Sequence, residues 1–170
     1  EEVLAGRGRF VEVVADAGAG KSTLLDEFEL HTPDLPFHRA RCRLYQSSTP
    51  YFPVAELLRD VFQLESLDAT AQVGRIRALA EGAGLDDVVP LVGIVLGLEI
   101  EGDVPDHPEI RKARLEQAVV SLLARTLLEP IALCVEDAHW IDEPSRDLLA
   151  ALAVGLADRP WLLLTAHRRS

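Results

Sequence analysis

Phe10-Val11-Glu12-Val13-Val14-Ala15-Asp16-Ala17-Gly18-Ala19-Gly20-Lys21-Ser22 runs from a β-branched apolar stretch straight into a glycine-rich turn, and Thr23-Leu24-Leu25-Asp26-Glu27-Phe28 continues it as a helix. This strand, loop and helix order is the setting of a phosphate-binding loop. Glycines let successive backbone N–H groups turn inward on a β-phosphate, and the helix N-terminus adds positive potential. In such a loop Gly18, Ala19, Gly20, Lys21, Ser22 and Thr23 are the nucleotide-binding candidates. The lysine neutralises β- and γ-oxygens, and the Ser22 hydroxyl is placed to ligate Mg2+.

The full pattern G-x-x-x-x-G-K-[ST] is missed at one place, because Ala15 stands where its first glycine belongs. The remaining Gly-Lys-Ser would occur by chance in roughly one chain in ten of this length, so the flanking context carries the assignment. The dinucleotide pattern G-x-G-x-x-G fits worse: its third glycine would be Thr23, and Lys21, one of only two lysines, would be left without a role.

Working outward, the 170 residues are 48% hydrophobic, enough for one full-sized core, so one domain is expected over residues 1–170. The chain has no methionine and begins at Glu1, and it reads as a piece of a longer protein. A net charge of −11 repels polyphosphate at long range and disfavours non-specific nucleic-acid binding. Cys42 and Cys134 lie alone in apolar runs and read as buried reduced thiols. No signal peptide or membrane-length apolar run is evident, and Pro90 interrupts the longest stretch, so a cytoplasmic location is expected.

The pattern after the first helix predicts a strand over 37–43, an aromatic turn-rich loop to Pro53, and helices over 54–62, 69–81 and 85–98. Residues 54–104 are therefore read as a helical insertion. A long helix follows Pro108, with Ile110, Leu115, Ala118, Val119, Leu122, Leu123 and Leu127 on one face. Ile131-Ala132-Leu133-Cys134-Val135 is the continuous apolar run of a parallel strand covered on both faces. It ends in Glu136-Asp137. A helix from Pro144 and a fourth strand over 160–166 complete an α/β alternation.

Ligands gather at the carboxyl ends of parallel strands, so an acidic pair there, beside a phosphate loop, reads as the second element of a Mg2+-dependent nucleotide site. Glu136 is assigned to the metal through a water and Asp137 to orienting or activating the attacking water, with the roles exchangeable. Adjacent carboxylates are stable together only near a cation, which favours this over a plain strand cap. His139 has no partner at metal-ligand spacing, Trp140 reads as packing, and Asp142 reads as a helix N-cap.

Glu136-Asp137-Ala138-His139-Trp140-Ile141-Asp142-Glu143-Pro144-Ser145 resembles the motif E-D-x-H-W-x-D-x-x-[ST] of AAA-type ATPase domains in large bacterial signalling proteins. These belong to the signal-transducing branch of P-loop ATPases, fused to class III adenylate/guanylate cyclase domains or to LuxR-type regulators. Ala15 to Ser22 resembles that family's G-E-A-G-x-G-K-S, and Cys42 to Phe52 its aromatic loop. The resemblance implies a P-loop NTPase three-layer sandwich with a parallel sheet in the order 1-4-3-2. The family's fifth strand and helical lid have no counterpart here. It also implies that Thr165 senses the γ-phosphate and that Arg168 faces phosphate, against an alternative in which Arg168 and Arg169 form a solvated tail.

The function so implied is an ATP-binding regulatory ATPase with ATP and Mg2+ as cofactors. It would couple slow hydrolysis to an output domain of the same parent chain, a nucleotide cyclase, or alternatively a LuxR-type transcriptional regulator. The resemblance is also compatible with nucleotide-dependent self-association, and no membrane or direct nucleic-acid contact is expected. A small-molecule P-loop kinase would need a substrate-binding lid and lid arginines that this sequence does not show, and a non-hydrolysing interaction module with a decayed site is the remaining alternative.

Overall fold

In a computed structural model, described over residues 1–169, four strands form one parallel sheet in the order β1-β4-β3-β2. The strands are β1 (Arg9–Val14), β2 (Phe37–Arg41), β3 (Ile131–Glu136) and β4 (Trp161–His167). The helices are α1 (Lys21–His31), α2 (Phe52–Val61), α3 (Ala69–Ala83), α4 (Val89–Leu96), α5 (Pro108–Thr126) and α6 (Glu143–Ala153). The fold is an α/β P-loop NTPase fold, with the strand order that the resemblance implied.

Contacts divide the chain into two compact units. One comprises Glu1–Leu57 with Glu129–Ser170, and the other Leu58–Leu128. In the first unit, alternation along β3 and β4 turns Ala132, Cys134, Leu162, Leu164 and Ala166 to one face, where they pack with Leu25 of α1. All six residues of β3 are buried, as its unbroken apolar run requires. β1 differs. Among the described residues it ends the sheet and pairs with β4 alone, so Phe10, Val11 and Val14 remain 46%, 41% and 41% exposed despite their apolar character. Gly8 precedes it where the chain presses on the turn into β4: a Cβ there would meet Leu156 O, with Arg159 O at 2.6 Å and Trp161 O at 2.9 Å.

The second unit is helical. Seven of the eight residues of α4 are buried, with Pro90 in the first turn, where its missing N–H costs nothing. On α5, Leu115, Ala118, Val119, Leu122 and Leu123 form the buried stripe. Ile110, expected on that face, is 54% exposed, because the stripe begins a turn later. α2 starts at Phe52, two residues before its expected start, since Pro53 is also tolerated in a first turn. β2 ends at Arg41, earlier than expected, although Cys42 N still donates to Glu136 O at 2.9 Å.

Candidate nucleotide and metal site

The turn between β1 and α1 depends on two left-handed residues, Gly18 at φ 76 and Gly20 at φ 82, where a Cβ would be strained. Among the described residues the non-glycine positions of positive φ are Tyr51, Gln63 and Asp137, so Ala15 carries no such strain. The substitution of the pattern's first glycine therefore costs the loop no backbone energy. Lys21 Nζ folds back over the loop and donates to Ala15 O and Asp16 O, both at 3.0 Å. The ammonium is thus held beside the turn before any phosphate arrives.

A cavity of about 340 Å3 opens above this turn, lined by Ala17, Gly18, Gly20, Lys21, Ser22, Thr23, Asp137 and Arg168. Ala19 lies in the same turn without lining it, and Glu136, 5% exposed, does not line it either. A second cavity, of about 590 Å3, has Thr165, Arg168 and His139 among its lining residues. Arg168 borders both, whereas Thr165 borders only the larger.

The decisive contact joins residues far apart in sequence: Ser22 Oγ donates to Glu136 Oε2 at 2.9 Å. Helix α1 begins where β3 ends, so the first helical turn places its hydroxyl on the carboxylate. Two oxygen donors so close fit a hard cation such as Mg2+, which takes one or two protein oxygens and keeps most of its waters. Asp137 stands at φ 52, an αL conformation that turns the chain sharply out of β3 and leaves its carboxylate partly exposed at the cavity.

Sequence reasoning missed two arginines here. In β2, Arg41 lies opposite Glu136 in register and Arg39 opposite Cys134. Arg41 Nη2 donates to Glu136 Oε2 at 3.1 Å and Arg39 Nη1 reaches Oε1 at 3.4 Å. Burying a carboxylate is costly unless it is paired, and these guanidinium groups supply the pairing. The available signal was the alternation of Arg39 and Arg41 in a run expected to be a strand, which puts both on one face. Burial opposes the charge of Arg39, but its bond to Asp26 and the fields of Glu29 and Glu136 overcome this and hold its pKa above the ordinary value.

Other groups are explained locally. Asp142 caps α6 through Oδ1, which accepts from Ser145 N and from Tyr51 N, both at 2.9 Å. It so ties the aromatic loop to the acidic segment. Burial lowers the pKa of His139, with Arg168 and Lys21 acting the same way and Asp137 opposing them. Both of its ring nitrogens and Thr165 Oγ1 are buried without a hydrogen-bond partner. Cys42 and Cys134 are free and buried, and burial pushes both thiols up to about 12.

Comparison with known proteins completes the description: residues 1–164 match the AAA ATPase domain family. The chain belongs to that family. An uncharacterized protein of Rhizobium meliloti (strain 1021) is 34% identical over 179 aligned positions, covering 99% of this chain. The chain spans only 17% of that relative's length. Membership makes this AAA domain a nucleotide-binding ATPase module, of a family that generally binds ATP with Mg2+. No helix among its described residues is long and apolar enough to cross a membrane.

Proposed function

We propose that this AAA domain is the regulatory ATPase module of a large signalling protein, in which Mg-ATP binding and slow hydrolysis set the state of an attached output domain. The observation that carries the reading is the Ser22 to Glu136 bond, which brings the phosphate-loop helix and the acidic strand onto one point. The loop amides between Ala17 and Lys21 and the Lys21 ammonium bind the phosphates. Ser22 and Glu136 would hold the cation, Glu136 through a water, and the cation would supply charge neutralisation to the phosphates. Asp137, at the cavity wall, orients the attacking water. Arg168, which lines both that cavity and the larger one, faces phosphate, and Thr165, on the larger cavity, senses its terminal group.

The output domain is assigned from the signalling-family resemblance as a nucleotide cyclase, and the small share of the relative that this chain spans is in keeping with a module inside a much larger protein. Phosphate release from the full-length protein, followed together with cyclase activity, tests the reading. Slow release that falls on the order of 10²-fold in Asp137→Asn, with cyclase output changing in the same variant, supports it. Release unchanged by that substitution, or output indifferent to nucleotide, contradicts it.

A further inference from the structure

Side chains on a strand alternate in direction, so Arg39 and Arg41 of β2 share one face of the sheet, and both reach Glu136. Their situations differ. Arg39 is 23% exposed and fixed from α1 by Asp26 at 2.6 Å and Glu29 at 2.9 Å. It has reason to stay in place whatever happens at Glu136. Arg41 is 51% exposed, and among the described residues its acidic partners are Glu136 at 3.1 Å and Asp137 at 3.9 Å. Arg41 is therefore the movable member of the pair.

The atom it occupies is what matters. Arg41 Nη2 and Ser22 Oγ donate to the same oxygen, Glu136 Oε2. A divalent cation held by Ser22 and Glu136, directly or through a water, draws on that oxygen too, and a guanidinium of like charge seated there opposes it. Building on the nucleotide-site reading above, we propose that Arg41 is a positioning residue that occupies the cation's place on Glu136 in the cation-free domain and must be displaced before Mg-nucleotide is bound. Arg41 keeps the buried carboxylate paired when the site is empty and raises the Mg2+ concentration at which it fills. The cost falls on cation binding, because among the described residues the ion pairs of Arg41 go to Glu136 and Asp137 whereas Lys21 bonds the Ala15 and Asp16 carbonyls.

The test is a Mg2+ titration of fluorescent ATP analogue binding to the full-length protein, beside Arg41→Ala and Arg43→Ala, with analogue affinity in EDTA and thermal midpoints measured on the same samples. Arg43 is the control for charge: it lies two residues on and hydrogen-bonds Tyr45 Oη instead of Glu136. A pairing occupied in about nine molecules of ten lowers apparent cation affinity about tenfold. Arg41→Ala is therefore expected to lower the Mg2+ midpoint by about that factor, with Mg-free affinity within about twofold of wild type and Arg43→Ala unchanged. A midpoint that stays or rises in Arg41→Ala, or an equal fall in Arg43→Ala, overturns the proposal while leaving the nucleotide site intact. A folded wild type that binds no analogue with or without Mg2+ overturns the underlying reading as well.

Discussion

β1 and β3 each deliver half of the candidate site from a carboxyl end, yet they are built on opposite terms. β1 is an exposed end strand whose contribution, the loop, lies in backbone geometry: two left-handed glycines and a helix N-terminus. β3 is buried at every residue, and its contribution, Glu136, is a side chain that needs two arginines to be tolerated. Phosphate binding here rests on local conformation and cation binding on tertiary environment, so the two halves are expected to fail differently when perturbed.

The largest contrast lies in packing. Leu133, 1% exposed in the middle of β3, is expected to lose about 3 kcal/mol on substitution by alanine. Val11→Ala in half-exposed β1 should cost less than about 1 kcal/mol. Urea unfolding of both variants checks this, and equal losses would remove the distinction between the strands.

The second contrast separates stability from binding. Glu136→Gln leaves Arg39 and Arg41 facing a neutral amide, at a cost of about 2 kcal/mol. Lys21→Ala should change stability by less than about 0.5 kcal/mol yet weaken ATP binding on the order of 10²-fold. Thermal melts beside a binding titration separate the two.

The sequence carried β1, its loop and α1 because their evidence is contiguous: apolar run, glycines, lysine and serine sit within thirteen residues. The α/β alternation followed from local signals of the same kind, and the strand order from the family resemblance. The environment of Glu136 was not legible in this way. Arg39 and Arg41 lie in a different strand, and only the β2 to β3 register brings them opposite it. The exposure of Ile110 escaped for a similar reason, since a helical stripe tells which residues share a face but not where the packing on that face begins.

A smaller effect concerns the loop itself. Gly20→Ala puts a Cβ at φ 82 and should cost about 1 kcal/mol, whereas Ala15→Gly, at a position without positive φ, should bring no gain in nucleotide affinity and lose about 0.5 kcal/mol. A marked gain in Ala15→Gly would show that the alanine does limit the loop.

The smallest expected effect at neutral pH comes from the thiols. With Cys42 and Cys134 raised from 9.0 to about 12 by burial, folding favours the protonated form. Their contribution to stability is full below the ordinary thiol value and is lost as pH rises toward 12. Alkylation at pH 8 should be slow in the folded protein and fast in denaturant, and rapid modification of the native chain would place a thiol at the surface.

The central claim is that the loop helix and the acidic strand act on one bound Mg-nucleotide. A double-mutant cycle in Mg-ATP affinity over Ser22→Ala, Glu136→Gln and the pair measures this directly. The account predicts that each single variant weakens Mg2+-dependent binding and that the pair is scarcely worse than either, since both remove the same cation. Additive losses, or singles that bind Mg-ATP as wild type does, would contradict it.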